Sequence, residues 1–306
     1  MKRLILVTLL IALVGTSAWA KKTYRVTNAV EFMKALGSNR TVVVAAGTTI
    51  NLSDVLSNSD LFESAGLRYM DGSTSYQMAN YEGSEKNMKF SVDIYDGHEL
   101  MLYGMSKLTL RGEDAGSKIV VEPRYANVIN FIRCDDITID NLVIGHTEEG
   151  FCTGGVLVMN RCNQVKIDHC DLYGCGIEGI NAEQVTNLQV SNTWIHDCSY
   201  DILTLALVTT ATFTHCDFTH CRDFPLVNVG SMCAAISFDD CMFANNTGTL
   251  FSLNSRVVMR NCVIRHDLDN TFTDNAADFL SETDCRWFEI TGDVTHRESV
   301  GPVNKK

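Results

Sequence analysis

The sequence predicts an all-β fold, a parallel solenoid with coils of about 23 residues and a short capping helix at its N-terminal end. Three observations predict it. First, six segments (134–144, 163–173, 186–196, 209–219, 233–243 and 256–264) share one pattern. Their central apolar residues are Ile139, Ile167, Val190, Phe213, Phe238 and Met259, spaced 28, 23, 23, 25 and 21 apart, and Leu110 stands 29 before the first. Second, apolar residues inside each segment alternate with period two, whereas a helical repeat needs them at i, i+3 and i+4. The leucine and asparagine framework of leucine-rich repeats is absent. Third, the segments align into columns of like residues. One column reads Asn141, His169, Asn192, His215, Asp240, Asn261, the types that best tolerate the left-handed backbone of a sharp bend. The next reads Leu142, Cys170, Thr193, Cys216, Cys241, Cys262 and should face inward. Stacked coils would place such equivalents one strand spacing apart, about 4.8 Å.

From the N-terminus, residues 1–20 read as a secretory signal peptide. Lys2 and Arg3 precede an apolar run, Leu4 to Val14, that is too short to span a bilayer, and Ala18-Trp19-Ala20 is a cleavage signal. The mature chain is expected to be secreted or periplasmic, with no later membrane span. Residues 21–50 should form the cap helix, with Asn28 and Glu31 capping it, and a first strand. Residues 51–107 read as irregular, loop-rich first coils, 108–267 as the regular solenoid, and 268–306 as a cap on the far end, where an open sheet edge would otherwise invite aggregation.

Net charge is −12, with no basic run beyond the last two lysines, which excludes nucleic acid as a natural partner. The same charge disfavours an acidic polysaccharide unless a cation mediates. The composition suits a monomer without disordered linkers, since it holds three prolines and no low-complexity tract. Twelve cysteines raise the question of metal or disulfides, most sharply in THCDFTHC at 214–221. His215 lies in the bend column, and Cys216 and Cys221 fall in two different columns. Cys175, Cys198 and Cys221 are spaced 23 and 23. Zinc ligands must converge on a point, so no zinc site is expected. Buried cysteine behaves as a small hydrophobe, and mostly reduced thiols are expected. One or two bridges stay open, with Cys152 and Cys285 the best placed.

These rungs, together with TNAVEFMKALGSNRTVVVAAGTTINL at 27–52, resemble right-handed parallel β-helix proteins of the pectin-lyase-like superfamily. The resemblance implies the fold and a carbohydrate-directed activity, lyase or glycosidase. VKIDHC (165–170) is similar to a pectate-lyase segment whose aspartate would make Asp168 a calcium ligand, although Lys166 stands in place of a tryptophan. CRDFPLVN (221–228) is similar to the catalytic segment of those lyases but carries Asn228 where the catalytic arginine should be. Glycosidase motifs are missing as a set. A polysaccharide or glycan partner therefore follows from the resemblance, calcium remains open, and whether the chain is an enzyme stays undecided against a non-catalytic glycan-binding or structural module.

Outward columns locate candidate sites. Asp171, Trp194 and Asp217 share one column, and Tyr173 and His196 share its neighbour. Aromatics flanked by carboxylates suit sugar rings. The competing reading packs Trp194 under a loop. Glu178, Asp201 and Asp223, with Arg222 adjacent, fall at nearly equivalent positions and form the candidate catalytic strip. Stacked carboxylates raise one another's pKa or bind a cation, and paired carboxylates are what acid–base glycoside chemistry requires. Solvated turn residues are the plain alternative. His146, Glu148 and Glu149, on an insertion, are further acid–base candidates.

Overall fold

The computed structural model describes residues 21–62, 64–69, 87–148, 153–174, 176–222 and 225–290. The signal-peptide reading of residues 1–20 and the expectations for Glu149, Cys152, Cys175 and Asp223 fall outside the described residues. Three parallel sheets wind around one core. The first has ten strands, running from Lys22–Val26 to Leu280–Thr283. The second has nine, from Thr49–Asn51 to Arg286–Glu289, and the third nine, from Arg68–Tyr69 to Phe251–Leu253. From Ser106–Gly112 to Phe251–Leu253 the strands follow one another through the first, second and third sheets in turn. An antiparallel hairpin, Met88–Ile94 with Gly97–Tyr103, interrupts the third sheet and is the one departure from parallel pairing among the described strands. No helix of the described residues is long and apolar enough to cross a membrane.

The columns read from the sequence are the pairing register. Leu110, Ile139, Ile167, Val190, Phe213, Phe238 and Met259 pair one to the next along the first sheet and are buried. Like side chains stack on like. Phe213 lies on Phe238, and Phe218 on Phe243, each with ring centroids 4.7 Å apart. The bend column turns the chain from the first sheet to the second. Asn141, His169, Asn192, His215, Asp240 and Asn261 all take the left-handed conformation, with φ between 49° and 53°.

A second left-handed bend, from the third sheet to the first, was not legible. It carries Arg133, Arg161, Gln184 and Leu207, with φ of 51° to 56°. None of these types favours that conformation. What holds it is the ladder, since the amides of Arg133, Arg161 and Gln184 donate to the carbonyls of Asn160, Glu183 and Ala206 at 2.8–2.9 Å. Straightening the bend would break those bonds in every coil.

The cap helix spans Ala29–Ala35 and drives Phe32 and Met33 into the core. Asn28 accepts from the Glu31 amide at 2.9 Å, and Glu31 reaches back to the amide of Thr27 rather than of Asn28. From the hairpin, Lys89 donates to the carbonyls of Met33 and Ala65. Burial pushes its ammonium down to about 8.

All ten described cysteines, Cys285 among them, are free thiols, and nine are buried. Burial pushes Cys170 up to about 12, so it stays protonated and inert as a nucleophile.

Candidate functional site

On the third sheet the outward residues form a column that is polar but for Val158: Asn130, Val158, Asn181, Thr204, Asn228 and Ser252 pair in succession. Loops of unequal length between the second and third sheets flank it, and a cleft of about 370 Å³ opens there, with Glu178 and Glu183 in its lining. Glu178 and Asp201 occupy the same position in successive coils, because the amides of Val156 and Gly179 donate to the carbonyls of Glu178 and Asp201 respectively. Asn181 donates to both Glu178 oxygens at 3.0 Å. Thr204 donates to Asp201 Oδ2 at 2.8 Å.

Burial pushes the Asp201 carboxyl up to about 6. The charge of Glu178 adds to the rise, and hydrogen bonds from Thr204 and Asn228 oppose it. Asp201 therefore exchanges its proton closer to neutral pH than an ordinary carboxyl does, the property that acid–base catalysis uses. Arg222 is exposed, directly after the buried Cys221.

The second cluster lies on the second sheet. His196 sits between two carboxylates, with Nε2 2.8 Å from Asp171 and Nδ1 2.6 Å from Asp197. Trp194 stacks on its ring at 3.6 Å, and Tyr173 stacks at 5.8 Å from the other coil. Tyr173 in turn lies over Gly145, where a Cβ would come within 2.3 Å of the Tyr173 carbonyl oxygen. Trp194 Nε1 donates to Thr219 Oγ1 at 2.8 Å. Asp171, Trp194 and Asp217 do share one outward column. However, the indole gives one face to His196 and its N–H to Thr219, so this cluster is a packed network rather than an open platform.

Burial works against the His196 charge, but its hydrogen bonds to Asp171 and Asp197 outweigh burial and raise it to about 9, from an ordinary 6.5. The charged form is thus favoured by folding. That stability is whole below about pH 6.5 and is lost as pH rises through about 9. Both carboxylates are partly exposed, which discounts the effect. His196→Gln is expected to lower stability by about 1–2 kcal/mol near neutral pH and to erase the alkaline fall. Urea unfolding on both sides of the transition measures this.

Asp140, Asp168 and His169 bring three ligand atoms within 4.8 Å of one another. They suit calcium poorly. Asp168 Oδ1 already accepts from Ser191 and Asn192, and Oδ2 pairs with Lys166 at 3.0 Å. Burial opposes its charge, but Asn192, Lys166 and Ser191 hold its carboxyl down at about 2. The Lys166 ammonium supplies the positive charge that a metal would bring. His146 is buried with Nε2 2.8 Å from the Ala126 carbonyl, and burial lowers its pKa. Glu148 pairs with Arg124 at 2.7 Å.

Residues 127–293 match the family described as the right-handed β-helix region. The chain belongs to the right-handed parallel β-helix family. Its fold is that of the pectin-lyase-like superfamily. Solved structures with this fold include a pectate lyase mutant of Bacillus subtilis, at 11% identity and a TM-score of 0.55, covering 90% of this chain and 84% of that one. A pectate lyase bound to a hexasaccharide matches at 12% identity and a TM-score of 0.53, covering 92% and 84%. A pectate lyase from Paenibacillus sp. 0602 matches at 12% and 0.51, covering 88% and 78%. At these identities the likeness is one of fold. Among curated proteins none matches.

In this β-helix, Asn228 stands on the outward column of the third sheet, between Thr204 and Ser252. There it hydrogen-bonds Asp201, a role in which an arginine would instead pair with the carboxylate and keep it ionised. Sequence reasoning missed the third sheet's own column. The signal was present in Leu157, Ile180, Leu203 and Val227, spaced 23, 23 and 24, but the flanking loops differ in length and hide it.

Proposed function

We propose that this β-helix is an exported protein that binds a glycan along the third sheet and cleaves it by acid–base chemistry at Glu178 and Asp201. One observation carries the reading: Glu178, in the wall of a cleft of about 370 Å³, stands one coil from Asp201, whose carboxyl burial raises to about 6. Asp201 would donate a proton to the leaving oxygen, and Glu178 would act as base or nucleophile. The fold relatives support a glycan as partner, because one of them is bound to a hexasaccharide. Elimination is the weaker chemistry, since the arginine expected at the lyase position is Asn228.

The test incubates the mature protein with a panel of polysaccharides, with and without calcium. Hydrolysis releases reducing ends without ultraviolet-absorbing unsaturated products. The appearance of unsaturated ends would replace this reading with a lyase, and glycan binding without turnover would make the protein a non-catalytic module. In the same preparation, N-terminal sequencing of exported protein should begin at Lys21. An uncleaved N-terminus would refute the signal peptide.

A further inference from the structure

The walls of the third-sheet cleft say which glycan fits. Six of its lining residues are Asn127, Asn130, Asn160, Asn181, Glu178 and Glu183, and no Lys, Arg or His is among the described residues lining it. The amides hold carboxylates in place. Asn160 donates to Glu183 at 2.7 Å, and Asn181 to Glu178 at 3.0 Å. Asn127 and Asn130 donate to Glu99 at 2.8 and 3.0 Å. Glu99 is itself buried behind the cleft. Asn130 is wholly buried, and its Oδ1 has no hydrogen-bond partner. That leaves an unanswered buried acceptor behind a wall that carries the Glu178 and Glu183 carboxylates, a lining that receives hydrogen bonds from hydroxyl or ammonium groups and repels carboxylates.

A second feature points the same way. Tyr125 lines the cleft, and its ring lies 5.1 Å from Tyr95 at the hairpin tip, which is 88% exposed. The tip is fixed, since Asp96 accepts from the amides of Arg124 and Tyr125. The guanidinium of Arg124 beside it pairs with Glu148. An aromatic left almost wholly in water on a braced turn is a ready face for the apolar side of a sugar ring.

We infer that the cleft takes a glycan without acidic groups, built of neutral or amino sugars, with Tyr95 and Tyr125 stacking on a ring at its mouth. This rests on the proposed function of the same cleft. It sets the chain apart from the polyuronate specificity that the names of its fold relatives would suggest.

The experiment measures binding to polygalacturonate oligomers and to the same oligomers with their carboxyls reduced to alcohols, by calorimetry, with calcium and with chelator. Neutral galactan, chitosan and alginate oligomers complete the panel. Non-acidic oligomers are expected to bind about tenfold or more tightly than the acidic ones. Glu183→Lys should narrow that gap. Tyr95→Ala should weaken non-acidic ligands about tenfold while leaving thermal unfolding unchanged, because its side chain is outside the core. Tighter binding of uronate oligomers, with calcium or without it, would overturn the inference and leave the site standing. Binding of no oligomer would overturn the site as well.

Discussion

Replacing Asp201 with Asn is expected to cut turnover severely and, at the same time, to stabilise the fold. The two effects have one cause. Burial raises the folded-state pKa of Asp201 from 3.8 to about 6, so the native state keeps a proton that the unfolded chain releases. Stability is therefore greatest below about pH 3.8 and falls as pH rises through about 6, where the buried carboxyl must ionise. Asparagine is neutral at every pH and keeps an acceptor for Thr204. Above pH 6 the variant should be about 2 kcal/mol more stable than the parent, and its stability should lose the fall between pH 4 and 7. Loss of the acid should lower kcat by about 10²–10⁴. Glu178→Gln should lower kcat comparably. Because it removes a charge that raises Asp201, it should also shift the parent's pH dependence of stability toward lower pH. Chemical unfolding across pH, alongside kcat on the substrate found in the panel, checks both. A variant that loses activity and stability together would mean that Asp201 is structural.

Phe238→Ala should be the most damaging substitution in the core. Its ring stacks on Phe213 at 4.7 Å and meets Phe218 and Phe243 edge-on at 5.9 and 5.6 Å. It is wholly buried. A loss of about 3–5 kcal/mol is expected from the removed surface and the cavity left behind. The coils above and below are themselves fixed by strand pairing, so they can close over the gap only in part. In a solenoid each coil contacts only its neighbours. The lost energy should therefore appear first as earlier unfolding of the C-terminal coils, visible in hydrogen exchange of residues 235–264 before those of 135–168. Met232→Ala, at a side chain 79% exposed, is the control and should change stability by less than about 0.5 kcal/mol. Equal losses from the two substitutions would show that the phenylalanine column is not what joins these coils.

Much of the architecture was legible because a solenoid repeats its physics. Each coil must bend in the same place, so Asn141, His169 and Asn192 recur. Each must fill the same slot, so Ile139, Ile167 and Val190 recur. The second bend escaped notice because Arg133, Gln184 and Leu207 adopt it under the constraint of the ladder and not by preference. The sites were partly legible. Glu178 and Asp201 were paired by spacing alone, and the register places them in successive coils. Trp194 and His196 were likewise placed side by side, but a column shows which residues are neighbours and not how their rings turn. The indole lies flat on its own histidine. Tyr95 and Glu99 were invisible because they belong to a hairpin outside the repeat, and Asn130 because it stands on the third sheet's column, which the aligned segments did not include.

The amino-acid order alone thus determined the coil, its bends, its stacked interior and the nearness of two carboxylates, because those follow from periodic short-range preferences. Only the tertiary structure decided which carboxyl is buried, which aromatic faces water and which cation is already paired. Those depend on burial and on partners brought in from other coils and from the hairpin, at distances no local pattern encodes.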